Sequence, residues 1–117
     1  MAETLERALS IRQPYVELIL RGKKRHEYRS RPTNIRGRVY LYAGLRPGDY
    51  AWAARKYGIR FDPDDLPVGR IIGSVELVGW KERRDGDYSW VLAKPRRYRT
   101  PLKPRNQPQP AFWKPKF

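Results

Sequence analysis

Prolines at positions 95, 101, 104, 108 and 110 keep the last quarter of this chain out of any helix. Each ring removes a backbone N–H and clashes with the preceding helical turn. The segment Pro95-Arg96-Arg97-Tyr98-Arg99-Thr100-Pro101-Leu102 is therefore expected to be extended and basic. Residues 103–110 then read as a proline-rich basic connection to a closing strand at Phe112-Trp113. Two large aromatics are costly to leave in water, and an exposed pair would itself mark a binding surface.

Upstream, the pattern alternates between short strands and two helices. Arg7 to Arg12 alternates small or apolar residues with polar ones and predicts a strand. Pro14 suits a first helical turn, and Tyr15, Val16, Leu18, Ile19 and Leu20 supply an apolar face that ends at Gly22. Lys24 to Arg29 can extend as a second strand, and Arg38 to Ala43 as a third with branched and aromatic content. Asp49 or a neighbour can start a helix carrying Tyr50, Trp52, Ala53, Ala54 and Tyr57 before Gly58. Gly69 to Trp80 is the longest strand candidate, with glycines that permit bulges, and Tyr88 to Ala93 should pair beside it as an antiparallel neighbour. The fold class expected is mixed α/β, mainly β: a strongly curved sheet or barrel of five or six strands with two short helices. At 117 residues the whole chain, 1–117, fits one domain.

The charge points to a class of partner. With 26 Lys and Arg against 12 Asp and Glu the formal net charge is +14, which favours polyanions, nucleic acid above all. A solubilising surface is the plainer alternative. No cysteine is present and the lone histidine is His26, so thiolate sites are excluded and neither a metal centre nor a cofactor is expected. The N-terminal residues lack the pattern of a secretory signal, and no apolar run reaches membrane-spanning length. The expectation is a cytoplasmic protein with no membrane partner; a protein partner for the proline-rich tail stays open.

The segments Leu9-Ser10-Ile11-Arg12-Gln13-Pro14-Tyr15, Ile19-Leu20-Arg21-Gly22-Lys23-Lys24 and Glu27-Tyr28-Arg29-Ser30 resemble the opening signature of ASCH domains. In that family an apolar-Ser-x-x-Gln-Pro start precedes a helix and then Gly-x-Lys-x-x-Glu-x-Arg, here Gly22, Lys24, Glu27 and Arg29. The resemblance continues through Tyr40-Leu41-Tyr42-Ala43, the strand from Val68 to Leu77 and the segment Trp90 to Arg96. It implies a PUA-like pseudo-barrel with helices beside a cleft, and a role in binding RNA or another nucleic acid. Some small members of the wider group look like hydrolases of RNA or modified nucleosides. The small amidohydrolases among them carry Lys-x-x-Thr with a threonine nucleophile, whereas this chain has Glu27 at the hydroxyl position. Tyr15 stands where many members have Trp, which preserves a flat ring.

Arg12, Gln13, Tyr15, Lys24 and Arg29, with Arg96, Arg97 and Arg99 of the tail, are the candidate nucleic-acid contacts. Arginine favours multidentate phosphate contacts and a flat ring can stack on a base. Lys103 and Arg105 extend the tail as a phosphate track, unless that edge is simply solvated. Two readings of Glu27 stand side by side: an internal salt bridge to Arg12 or Arg29 that pins the cleft, or a cleft residue that meets a nucleotide. If the protein is instead a metal-independent hydrolase, Lys24 would hold a phosphate or developing anion while Glu27 moves a proton. His26 is a rival base, on the opposite strand face from Glu27. Trp52 and Trp90 are expected in the core. No nucleotide-binding glycine loop, helix-turn-helix, zinc-finger spacing or RNP-like strand is present.

Overall fold

The structure is a computed structural model that describes residues 5–117. In chain order the elements are β1 (Ala8–Ile11), α1 (Tyr15–Leu20), β2 (His26–Arg29), β3 (Gly37–Ala43), α2 (Tyr50–Tyr57), β4 (Arg70–Glu82), β5 (Tyr88–Leu102) and β6 (Phe112–Trp113). Single 3₁₀ turns at Pro63–Asp65 and Arg84–Gly86 punctuate the connections. The architecture is mixed α/β and mainly strand, consistent with a PUA-like barrel. The strands form one sheet in the order β2-β5-β4-β3-β1-β6. β1 runs parallel to β3 while the other neighbours are antiparallel. A parallel pair needs a crossover, and the α1–β2 segment supplies it.

The sheet curls until its two ends meet. Trp90 of β5 stacks on Phe112 of β6 with centroids 5.4 Å apart and planes 14° from parallel, although three strands separate them in the sheet. Arg29 of β2 reaches the carbonyl of Ser10 in β1. Side chains thus bridge edges that the backbone leaves unpaired, which blunts the exposure of free strand edges. Inside the curl, Leu9, Ile11, Leu41, Val75, Leu77 and Trp90 are buried together with Val16 and Ile19 of α1. Trp90 is core as expected, and its indole N–H donates to the Arg31 carbonyl at 2.9 Å.

Two differences from the expected strand extents bear on the site. β2 begins only at His26, leaving Lys24 in the turn before it. β5 continues unbroken through Pro95 and Pro101 to Leu102, fifteen residues in all. Past Val91 it has β4 on one side and, among the described residues, no strand partner on the other. A proline ring is tolerated on such an edge because its missing N–H faces no neighbour. β4 accommodates its long partner through register shifts at Ile71/Gly73, Ser74/Glu76 and Leu77/Gly79. Gly73 marks a close approach, since a Cβ there would run into the Arg96 carbonyl and stand 2.7 Å from Leu20 Cδ2.

Candidate nucleic-acid interface

A cleft of about 750 Å³ opens where the first turn of α1, strand β2, the loop after β3 and helix α2 converge. Arg12, Tyr15, Lys24, Glu27 and Arg29 line it, as do Tyr28, Arg46 and Trp52. Residues 108–111 form a further wall. That wall is held by Ser10, whose Oγ donates to the Gln109 carbonyl at 3.0 Å and whose backbone N–H donates to Ala111 O. The proline-rich tail is therefore docked along β1 at this point.

Gln13 does not face the cleft. It is fully buried, its Oε1 accepts from Glu17 N at 3.0 Å, and its Nε2 donates to Pro67 O at 3.1 Å. A helix start leaves N–H groups without intrahelical partners, and here the Gln13 amide meets one of them. Its role in this structure is that of a brace, because a fully buried amide engaged at both ends does not reach the cleft. It sets the direction of α1, and so of Tyr15. Gly48 completes the support: its N–H donates to Gln13 O at 2.8 Å, and a Cβ there would sit 2.6 Å from Tyr15 Cε2.

Tyr15 meets Trp52 edge to face at 6.1 Å. Trp52, expected in the core, is 37% exposed. Helix α2 begins where Asp49 Oδ1 accepts from Trp52 N at 2.8 Å, and the phase this sets buries Ala53 while turning the neighbouring indole outward. The cleft thereby presents two rings partly open to solvent.

Lys24, Glu27 and Arg29 form one ionic cluster. Arg29 donates from Nε at 3.0 Å and from Nη2 at 2.7 Å to Glu27 Oε2, and Lys24 Nζ lies 3.5 Å from Glu27 Oε1. Of the two arginine partners considered for Glu27, the structure selects Arg29; Arg12 is exposed and makes no ion pair among the described residues. Both Lys24 and Glu27 are buried. Burial pushes the Lys24 ammonium below the ordinary lysine value, and the charge and hydrogen bond of Glu27 work against that shift. His26 is also pushed down, first by burial and then by the charges of Lys81, Lys24 and Lys56. The cluster can hold an anion at its cationic rim and offers Glu27 Oε1 as an acceptor.

The arginine tail is divided. Arg97 donates from Nη1 to Glu17 Oε1 at 2.9 Å and from Nη2 to Glu17 Oε2 at 2.7 Å, and Arg21 holds the same carboxylate. Arg97 therefore shares one carboxylate with Arg21, and it lies in a separate depression beside α1. Arg96 and Arg99 are exposed on β5, with Lys103 and Arg105 beyond, and none of the four lines the cleft. Sequence reasoning missed Arg46 and placed Trp52 in the core. The signal for Arg46 was faint: a single cation in a loop between a strand and a capped helix.

The ASCH domain family model matches residues 9–101. The mouse (Mus musculus) protein Activating signal cointegrator 1 is 37% identical over 79 residues, a stretch that is 60% of this chain and 13% of that protein. The chain thus spans a small part of the length of this curated relative. The family match covers β1 through nearly all of β5 and every ring and cation of the cleft named above, and it stops short of the 108–111 wall. This chain belongs to the ASCH domain family.

Proposed function

We propose that this ASCH domain binds single-stranded RNA and seats one nucleotide in the cleft. The observation that carries the reading is the meeting of two partly open rings, Tyr15 and Trp52, in one cavity with Arg12 and Arg46, cations that form no ion pair among the described residues. Its volume of about 750 Å³ lies within the rough 300–1,000 Å³ range of small-ligand sites. Rings supply stacking that any base can use, while the cations take phosphate. Glu27 Oε1 adds an acceptor for an amino or imino group on a base edge. RNA is favoured over duplex DNA because the helices, six and eight residues long, do not make a major-groove reading element. Residues Arg96 and Arg99 add affinity without selectivity. The test is titration of a single-stranded RNA at several salt concentrations, with Arg12→Gln/Arg46→Gln beside the parent. Binding that falls with salt, and a shallower salt slope in the variant, support the reading; no binding at low salt overturns it.

A second reading is hydrolysis of RNA or a modified nucleoside. It is favoured by the buried Lys24, shifted toward its neutral form beside Glu27 in the same cleft. Glu27→Gln separates the two: loss of turnover with retained binding marks an enzyme, and unchanged or tighter binding without any turnover in the parent marks a binding module.

A further inference from the structure

One tyrosine gathers three cations. Arg83 Cζ stands 4.2 Å from the centroid of the Tyr28 ring, Lys24 Nζ 4.6 Å and Lys56 Nζ 4.8 Å. They come from three parts of the chain: the turn before β2, the helix α2 and the β4–β5 connection. A ring has two faces, so at least two of these cations share one. Lys56 also lies 5.0 Å from the Trp52 ring and 5.6 Å from that of Tyr57, and it donates to the Tyr28 hydroxyl.

The way these charges are held decides what they can do. A carboxylate partner fixes a cation and cancels its charge; a ring face fixes it through its quadrupole and leaves the net charge in place. Neither Lys56 nor Arg83 forms an ion pair among the described residues, and both are exposed. Only Lys24 has an acidic partner, Glu27, which Arg29 already neutralises. The result is uncompensated positive charge focused at one edge of the cleft, because Tyr28 and Lys24 line it. Such crowding is unfavourable in the empty site: Lys56 works against the charged forms of both Lys24 and His26. A bound anion would reverse that sign.

Building on the proposed RNA reading, we propose that Lys56 and Arg83, positioned by the Tyr28 ring with Lys24 beneath, form a phosphate subsite at the rim of the cleft. The ligand group is the phosphate of the bound strand, either a backbone diester or a terminal monoester. The subsite gives the strand a direction of exit, from the rings of Tyr15 and Trp52 across Tyr28 toward the β4–β5 turn.

The probes are inorganic phosphate and dimethyl phosphate, added to the full chain at constant ionic strength against chloride. The Tyr28 ring and the imidazole of His26, the lone histidine, are followed by NMR. The expected result is a saturable shift of the Tyr28 signals and a rise in the His26 titration midpoint, with affinity at least about tenfold weaker in Lys56→Gln/Arg83→Gln, or about 1.4 kcal/mol. Both residues are exposed, so the variant keeps the fold. A response to dimethyl phosphate assigns the subsite to the backbone; a response to inorganic phosphate alone assigns it to a strand end. No saturable shift with either probe, or equal affinity in the variant, overturns the subsite. RNA titration then separates the two proposals. If the parent binds RNA and the double variant keeps the parental salt slope, in place of losing about 0.7 per phosphate contact, the subsite is wrong and the cleft reading stands. If phosphate binds as expected and RNA does not, the subsite stands and the RNA reading fails.

Discussion

Arg29 and Ser10 sit in strands that the sheet places four positions apart, and a 3.0 Å hydrogen bond from Arg29 Nη2 to the Ser10 carbonyl joins them. The same guanidinium holds Glu27, so this bridge across the open sheet and the ionic cluster of the cleft depend on one side chain. Removing it leaves Glu27 buried with only Lys24 at 3.5 Å. Arg29→Ala should cost about 3 kcal/mol, the lower end for stripping one partner from a buried pair, because Arg29 is partly exposed. Arg29→Lys should recover only part of this, since an ammonium cannot reproduce the two-nitrogen grip. Urea denaturation reads both, and a loss below about 0.5 kcal/mol for the alanine variant would contradict the bridging role.

Trp52 should matter for binding far more than for folding. The indole is over one-third exposed and packs edge-on against Tyr15 and Tyr57. Trp52→Ala should weaken single-stranded RNA binding by about 1–3 kcal/mol, the worth of one base stacked on a ring. Thermal melting of the same variant should change little. A large drop in melting temperature with unchanged affinity would place the indole back among structural residues.

Gly48→Ala tests whether the cleft depends on how Tyr15 is seated. The added methyl would meet the Tyr15 ring at 2.6 Å and the Gln13 carbonyl at 2.9 Å, so the ring or the loop must move. The expected outcome is a changed Tyr15 ring environment by NMR and RNA affinity at least about threefold weaker, a shift of about 0.65 kcal/mol. An unperturbed Tyr15 spectrum would show that the loop yields freely.

Glu17 should set part of the acid stability. Burial favours its neutral form, but hydrogen bonds from Arg97 and Arg21, and then their charges, outweigh it and hold the carboxyl below its ordinary 4.5. A carboxylate with a depressed folded value stabilises the protein above its unfolded value, and that contribution is lost as pH falls through the folded one. The parent should therefore lose stability below about pH 4.5. Glu17→Gln should be the less stable protein at neutral pH, with the gap closing as the solution is acidified. Parallel denaturation curves across that window check it, and a constant gap would rule the linkage out.

Local chemistry made much of this fold legible. Asp49 caps α2, and two of the three β4 register shifts adjoin Gly73 and Gly79. The ASCH-like spacing singled out Lys24, Glu27 and Arg29, which the structure brings into one cluster. What escaped was set by distance along the chain. Arg97 is paired with a carboxylate 80 residues away, and nothing near Arg97 announces it. Gln13 looked like a ligand because it is polar in a signature, yet its two bonds brace a helix and a distant loop. The run beyond Pro95 was legible as extended but not as strand, because whether a proline interrupts a ladder depends on which edge is left unpaired.

The cleft wall at Gln109 is hydrogen-bonded to Ser10, 99 positions earlier in the chain. Synthesis runs from the N-terminus, so a growing chain exposes Arg12, Lys24 and Arg29 long before residues 108–111 exist to enclose them. An incomplete chain carries the charge of the site without its shape, and charge alone attracts any polyanion. Whatever discrimination the cleft has is therefore acquired only once residues 108–111 are in place, and a truncation before Gln109 should yield a molecule that is indiscriminate before it is unfolded.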